Sequence, residues 1–262
     1  MRLVVLKRFK NIIFNVIISL CIISFFVILV LYNKISNKEH INYSLNEEKT
    51  TQIEVKDNYN KVVYLTFDDG PSTNIDYLLD MLDKYNAKAT FFMVGSCVET
   101  MPELALKVYK RGHSIGMHSY SHSEKIYDSI NSFKEDLDKC EKIFKKIFGF
   151  RPNIYRLPFG SYNKYLSKEK LNLVSKELLK RGYNYYDWNA STGDGSKNVI
   201  GYSIYVNAVN GMKDQEMPVI LMHDTNKNTM DVIEYILQYG FMNNYKFDIL
   251  TADTKPMRYN NK

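Results

Sequence analysis

Several apolar segments of this chain end directly in polar residues, and this feature restricts the fold more than any other. The segments VVYLTF, SIGM, NIY and VILM are followed respectively by Asp68-Asp69, His118, Arg156 and His223-Asp224. Helical patterns separate them, which predicts βα units around a parallel sheet or barrel. Because the carboxyl ends of parallel strands share one rim, we expect these distant residues to meet in a single cleft.

The alternation of strands and helices begins at Lys61 and continues almost to the last residue. Strands are predicted at KVVYLTF, ATFFMV, SIGM, NIYR, YNYYDW, PVILM and FDIL. Helices are predicted at Asn74–Tyr85, Pro102–Arg111, Ser132–Phe148, Lys168–Arg181 and Met230–Tyr239. The predicted fold class is therefore α/β, with residues 61–255 as one globular domain and residues 256–262 as a C-terminal tail.

The composition is that of a globular protein with an added segment. Of the 262 residues, 45% are hydrophobic, which is ordinary for a folded core. The net charge of +6 includes basic residues crowded at the N-terminus, so it does not indicate a nucleic-acid-binding surface. The three cysteines form no CxxC pair, and we expect free thiols rather than a disulfide between Cys97 and Cys140.

The N-terminal part of the sequence predicts a membrane anchor. Residues 12–32 read IIFNVIISLCIISFFVILVLY, carry no charge, and as a helix would span roughly 30 Å, the thickness of a bilayer's hydrocarbon core. Basic residues precede this segment, so the positive-inside rule predicts residues 1–11 in the cytoplasm and the remaining chain outside. A cleaved signal peptide is the alternative, but its apolar part is shorter, and no small-residue cleavage site follows here. The polar residues 33–60 are predicted to form an extracellular tether.

Two histidines at the predicted rim are spaced for a shared metal ion. His118 and His122 are four residues apart, so a helical turn would present both rings on one face. A third ligand is needed, and either Asp68 or Asp69 is suitable. An isolated H-x-x-x-H pair often arises by chance, but the combined Asp/His/His set suits a catalytic zinc or a similar divalent ion.

Four motifs occur in the order found in one family of enzymes. They are Thr66-Phe67-Asp68-Asp69-Gly70-Pro71, His118-Ser-Tyr-Ser-His122, Arg156-Leu-Pro-Phe-Gly160 and Leu221-Met-His223. From residue 61 to 255 the chain thereby resembles the polysaccharide deacetylases of carbohydrate esterase family 4. The resemblance implies a distorted (β/α) barrel of about seven parallel strands, preceded here by one predicted N-terminal transmembrane helix.

The resemblance implies a metal site and a catalytic base. Asp69, His118 and His122 would bind the metal, which leaves Asp68 as the base. Arg156 would orient Asp68 and balance its charge. The expected ion is Zn²⁺, with Co²⁺, Mn²⁺ or Ni²⁺ as alternatives.

The same resemblance implies the groups on the substrate side. His223 would be the general acid that protonates the amine, and Asp194 would hold its ring. The backbone N–H of Phe159 would serve the oxyanion, and Leu221 would line the acetyl pocket. Apart from the resemblance, Trp188 is a candidate to close this pocket, with a core position as the alternative for the only Trp of the chain.

The chain departs from the family pattern in the motif that follows Trp188. Ser191 and Gly195 stand where the family usually has Asp and Trp, and the Gly195 change predicts a wider acetyl pocket or one closed by another residue. Met117 and Phe159 replace the more usual Asn and Tyr.

The predicted function is metal-dependent removal of N-acetyl groups from an extracytoplasmic polysaccharide, peptidoglycan N-acetylglucosamine in particular. The alternatives are other acetylated glycans, including chitin-type polymers and xylan acetyl esters, and a non-catalytic glycan-binding module. The expected partners are the glycan substrate and, through residues 12–32, the cell membrane. No nucleic acid and no obligate protein partner are expected.

Overall fold

The computed structural model describes residues 59–196 and 198–259, in which strands and helices alternate. The strands are β1 Lys61–Asp68, β2 Thr90–Met93, β3 Ser114–Met117, β4 Ile154–Tyr155, β5 Asn184–Tyr185, β6 Ala190–Ser191, β7 Val219–His223 and β8 Tyr245–Phe247. The helices are α1 Ile75–Lys84, α2 Gly95–Thr100, α3 Pro102–Lys110, α4 Ile130–Phe148, α5 Lys168–Lys180, α6 Gly201–Asp214 and α7 Lys227–Met242, with a 3₁₀ turn at Glu124–Tyr127.

The strands form one parallel sheet with β1 near its centre. The order is β5-β4-β3-β2-β1-β7-β6, and β8 pairs with the first residues of β1. In the described part of the chain no pairing joins β5 to β6, so the curled sheet is a half-open barrel. The predicted α/β class and parallel sheet are confirmed.

The register of the sheet brings the polar strand ends to one level. Asp68 on β1 lies opposite His223 on β7. Met117 pairs with Met93 on one side and with Tyr155 on the other, so the residues that follow β3 and β4 leave the sheet together. The rim expected from the sequence is therefore present.

Local sequence signals explain why the helices begin and end where they do. In α4 the Ser129 side chain accepts a hydrogen bond from the Ser132 N–H, and Gly149 ends the helix in a left-handed conformation with φ of +80°. The buried side of α4 includes Phe133, Leu137 and other apolar residues at helical spacing. Each such side chain contributes about 1.5–3 kcal/mol when fully buried, so packing on the sheet stabilises the helix more than its caps do.

The predicted membrane anchor at residues 12–32 lies outside the described residues, as do the predicted tether up to residue 58 and Cys21. Among the helices of the described ranges, none combines the length and hydrophobicity needed to cross a bilayer. Cys97 and Cys140 are free thiols, as expected.

Candidate active site

The end of β1 carries two acidic residues that face the same cleft. Asp69 has a φ of +72°, a left-handed conformation that is disfavoured for residues other than glycine. In an extended strand, the side chains of two neighbouring residues point to opposite faces. The left-handed conformation of Asp69 breaks this alternation, so its side chain can face the same cleft as that of Asp68. As a result, Oδ1 of Asp69 lies 3.1 Å from Nε2 of His122 and 3.5 Å from Nε2 of His118. The Oδ2 atom of Asp68 lies 3.7 Å from the same His118 nitrogen.

The two histidines converge through a loop and not through the helical turn that their spacing suggested. Ser119 and His122 both have positive φ, and the Ser119 hydroxyl accepts a hydrogen bond of 2.9 Å from the His122 N–H. The Asp136 carboxylate accepts from the backbone N–H groups of Tyr120 and Ser121 and anchors the loop to α4. The ring centroids of His118 and His122 are 4.9 Å apart. Side-chain bonds to the backbone therefore hold a geometry that a helix would otherwise supply.

One ring nitrogen of His118 is fixed by a backbone carbonyl. Its Nδ1 lies 2.8 Å from the Arg156 carbonyl oxygen, which can only accept a hydrogen bond. We therefore assign the proton to Nδ1, so that Nε2 presents its lone pair to the cleft. A carbonyl acceptor of this kind fixes the ring orientation and tautomer of a histidine that binds a metal through its other nitrogen.

Asp69, His118 and His122 fit a metal ion. Within the described ranges they form a group whose candidate ligand atoms lie within 4.8 Å of one another. Oδ1 of Asp69 is buried and has no hydrogen-bond partner, an arrangement that is costly unless a cation contacts it. Burial raises the pKa of Asp69, but the nearby imidazoles of His118, His122 and His223 outweigh it and lower that pKa overall. Burial lowers the pKa of His122, so these two groups favour the forms that bind metals.

Asp68 is held by a fully buried arginine. Nη1 of Arg156 donates to Oδ1 of Asp68 at 2.8 Å and to the Thr66 hydroxyl at 2.7 Å. Its remaining donors bind the backbone carbonyls of Tyr186 and Asp187. The guanidinium thus balances the charge of the Asp68 carboxylate and occupies its Oδ1 atom. The Oδ2 atom of Asp68 faces Nε2 of His118.

His223 approaches the same group from the end of β7. Its Nδ1 is 2.8 Å from Oδ1 of Asp194, and its Nε2 is 3.9 Å from Oδ2 of Asp69. The other oxygen of Asp194 accepts from the His223 backbone N–H and from the Thr229 hydroxyl, each at 2.7 Å. Burial lowers the pKa of His223, but the bond to Asp194 and the charges of the nearby aspartates outweigh it and raise the pKa to about 9.

The remaining residues singled out in the sequence lie around this centre. Phe159 follows β4 with a φ of +67°, and its ring centroid is 4.9 Å from that of His122. Such a conformation costs a non-glycine residue about 1–2 kcal/mol. Leu221 lies on β7 with an exposed fraction of 8%. Trp188 packs behind Gly160, where a Cβ atom would come within 2.9 Å of its ring.

A cavity of about 430 Å³ opens beside His223. Asp69, Asp194, Gly195 and the segment from Thr225 to Asn228 are among its lining residues. A Cβ atom on Gly195 would lie 3.3 Å from the His223 ring. The missing side chain therefore leaves this wall of the cavity open.

Two buried aspartates at the rim were not predicted as functional. Asp187 follows β5, and Asp224 follows His223. The Asp224 carboxylate accepts from the Ser72 N–H at 2.9 Å, and its carbonyl accepts from the side chains of Ser72 and Asn74. Burial raises the pKa of Asp224 to about 6. Asp187 lies inside the segment YNYYDW that was predicted as a strand, and Asp224 was noted only as the neighbour of His223, so neither had a sequence signal for its anchoring contacts.

Comparisons with known proteins identify similar sequences and a similar fold. The family model for polysaccharide deacetylases matches residues 56–175. A peptidoglycan-N-acetylglucosamine deacetylase of Bacillus cereus is 33% identical over 202 residues, which cover 72% of this chain and 68% of that protein. The peptidoglycan-N-acetylmuramic acid deacetylase PdaC of Bacillus subtilis is 31% identical, and the match covers 79% of this chain but 41% of PdaC.

A solved structure shows the same fold. The catalytic domain of a peptidoglycan N-acetylglucosamine deacetylase from Eubacterium rectale superposes with a TM-score of 0.72 at 33% sequence identity. The superposition covers 81% of this chain and 98% of that structure. The chain therefore belongs to the polysaccharide deacetylase family and is a deacetylase of the hydrolase class.

Proposed function

We propose that this protein is a metal-dependent deacetylase that hydrolyses the N-acetyl groups of N-acetylglucosamine in peptidoglycan. The observation that carries the proposal is the buried, unpartnered Oδ1 of Asp69, which faces the Nε2 atoms of His118 and His122. Asp68 lies beside this group and His223 faces it. A cation site with a base and an acid next to it is the arrangement that amide hydrolysis requires.

Asp69, His118 and His122 would hold the ion, and the mixed Asp/His donor set favours Zn²⁺, with Co²⁺, Mn²⁺ or Ni²⁺ as alternatives. When bound, such an ion supplies Lewis-acid activation of the amide carbonyl and of water. Because Arg156 occupies Oδ1 of Asp68, the free Oδ2 accepts the proton that the attacking water loses.

The leaving amine requires a proton, and His223 supplies it. The pKa of about 9 keeps this imidazole protonated at neutral pH. Asp194 fixes the ring by its contact with Nδ1, so Nε2 is the nitrogen that donates. The Phe159 N–H stabilises the oxyanion, and Leu221 limits the space around the acetyl methyl group.

Two lines of reasoning support peptidoglycan as the substrate. The relatives named above act on N-acetylglucosamine or N-acetylmuramic acid of peptidoglycan. The uncharged residues 12–32 and the basic residues before them support a location at the cell membrane, with the domain outside beside the wall. Protease added to intact cells or protoplasts should then digest the domain, and its protection would refute this location.

Acetate release from defined glycans tests the activity. The full chain, purified in detergent, is freed of metal with a chelator and assayed before and after addition of Zn²⁺, Co²⁺ or Mn²⁺. The panel contains purified wall glycan, chitin oligomers and acetylated xylan. We expect metal-dependent release from wall glycan. Release from none of them would refute the enzyme, and a preference for xylan esters would favour the alternative substrate.

Two aspartate variants separate catalysis from binding. Asp68→Asn should abolish release while glycan binding remains, because the amide cannot accept the proton. The matched control is Asp76→Asn, since Asp76 is exposed and pairs with Lys107 on the surface. Glycan binding by a parent protein that shows no turnover would indicate a non-catalytic binding module.

A further inference from the structure

Asp187 is a buried carboxylate that does not face the reacting groups. It is fully buried at the end of β5. Its Oδ1 accepts from the Ser161 N–H at 2.8 Å. Its Oδ2 accepts from the Ser161 hydroxyl at 2.5 Å and from the Tyr259 N–H at 2.9 Å. A fully buried carboxylate needs such donors, and because all three come from Ser161 and Tyr259, they tie these two residues to the end of β5.

These bonds hold one end of the loop that contains Phe159. The other end is held by Arg156, whose side chain donates to the Asp187 carbonyl at 3.0 Å and to the Tyr186 carbonyl at 3.1 Å. The residues at the end of β5 therefore anchor the loop on both sides. Asp187 is the only residue of the described chain that bonds both Arg156 and Ser161.

The loop between these anchors is conformationally strained. Phe159 and Gly160 adopt successive left-handed conformations, with φ of +67° and +77°. A phenylalanine does not adopt this conformation unless its surroundings impose it. The direction of the Phe159 N–H depends on the same backbone angles. A contact that holds the loop in this conformation therefore also fixes the direction of the N–H.

We propose that Asp187 is a positioning residue for the deacetylase reaction, which holds the Phe159 N–H in the direction that meets the oxyanion. The inference rests on the proposed function, since it assumes that an oxyanion forms beside Phe159. Within the described residues the Asp187 side chain bonds Ser161 and Tyr259 and has no hydrogen bond to Asp69, His118 or His122. It acts through Ser161, and the loss of its bonds lets the strained loop relax and turns the N–H away.

Asp187→Asn provides the main test. The amide keeps the size of the side chain but replaces one accepting oxygen with a donor, so the bonds from Ser161 and Tyr259 cannot all persist. Loss of a whole oxyanion donor lowers kcat by about 100-fold to 1,000-fold, so misplacement should lower it by about 10-fold to 100-fold. The KM should change by less than about twofold, because the ground-state carbonyl depends little on this donor.

Two further readouts separate positioning from a stabilising role. Affinity for a glycan in which a methylphosphonamidate replaces the acetamide should fall by the same factor as kcat/KM, because this tetrahedral anion resembles the transition state. Affinity for the deacetylated glycan should not change. The pH limits of activity should also stay the same, since Asp68 and His223 keep their partners.

Asn184→Ala is the matched control for stability. Asn184 lies on β5 three residues earlier, and its side chain donates to the Ala252 carbonyl at 2.6 Å. Its loss should lower the melting temperature without changing kcat or analogue affinity. Ser161→Ala is a milder second variant, which removes the bond to Oδ2 and retains the backbone bond to Oδ1. It should lower kcat by about threefold to tenfold.

The outcomes distinguish the two proposals. A wild-type protein that releases no acetate refutes the proposed function itself. If the wild type is active, an unchanged kcat and analogue affinity per folded molecule in Asp187→Asn would refute the positioning role alone. If Asp187→Asn does not fold, full activity in Ser161→Ala would refute it equally.

Discussion

Asp194→Asn should move the alkaline limit of activity to lower pH. His223 donates a proton to the leaving amine, so activity is lost as the pH rises through its pKa. Asp194 contacts the ring nitrogen Nδ1 at 2.8 Å from a buried position and thereby stabilises the imidazolium. An amide at this position retains the shape of the carboxylate but carries no charge. The pKa of His223 should therefore fall, and the enzyme should lose its acid at a less alkaline pH.

The size of the change follows from the environment of His223. Its pKa is raised from 6.5 to about 9, although burial alone would lower it. This difference corresponds to about 3 kcal/mol in favour of the imidazolium. Asp68 and Asp69 supply part of it, but a cation held by Asp69 offsets their charge. Asp194 should account for at least half, so the limit should move by about one to two pH units.

The assay is kcat/KM for a chitin oligomer from about pH 5 to about pH 10 at saturating metal, with the full chain in detergent. Thr229→Val is the control, since it removes a neutral donor to Asp194 but keeps the ion pair. Its alkaline limit should stay within about 0.3 pH units of the wild type. Asp194→Asn with an unmoved limit would show that His223 is not the acid or that Asp194 does not set its pKa.

The same ion pair contributes to stability. Because the pKa of His223 is higher in the folded protein than its ordinary value of 6.5, the stabilisation is complete below about pH 6.5 and is lost as the pH rises through about 9. Unfolding by urea across this range should therefore show a decline that Asp194→Asn lacks. A parallel decline in both proteins would contradict the reasoning.

Three further predictions concern the metal ligands, the buried arginine and the core. Asp69→Ala should abolish tight Zn²⁺ binding measured by calorimetry, and unchanged stoichiometry would contradict the ligand set. Arg156→Met should lower the free energy of unfolding by about 3–5 kcal/mol, because Asp68 is left as an unpaired buried charge, and urea titration measures it. Gly116→Ala should cost about 1–3 kcal/mol in the same titration, since its Cβ would lie 2.4 Å from the Phe92 ring; a neutral effect would show that the ring yields.

Strands β1, β3, β4 and β7 were predictable because each is a short apolar run that ends in a polar side chain, whereas the two-residue strand β6 at Ala190–Ser191 was not predicted. Helix α6 at Gly201–Asp214 was not, because its sequence contains two glycines that weaken the helical signal. The structure shows why they are there. A Cβ on Gly211 would lie 2.4 Å from that of Ala190, and one on Gly201 would lie 2.8 Å from Val232. The close packing of this helix requires glycine at both positions, and these glycines weaken the helical pattern in the sequence.

The last strand and the loop from His118 to His122 were also predicted incorrectly from local sequence patterns. The strand was predicted at FDIL, but β8 ends at Phe247, and the N–H of Leu250 bonds instead to the Thr90 hydroxyl. His118 and His122 were expected to share a helical turn, yet the loop depends on Ser119 and Asp136. The bonds made by Asp136 and Thr90 join residues that are distant in sequence, so local periodicity does not reveal them.

Residues that perform chemistry can be recognised from sequence because few side chains can bind metals or transfer protons, whereas a residue that only anchors the backbone near them leaves a much weaker signal. Asp224 illustrates the difference. In isolation an aspartate after a histidine resembles a solvated turn residue, but its bonds to Ser72 tie the end of β7 to the loop that follows Asp69. Its carboxylate lies so close to Gly70 that a Cβ there would be 2.6 Å away. The separation of His223 from Asp69 is therefore set by a residue with no chemical role of its own, and only burial and contacts reveal it.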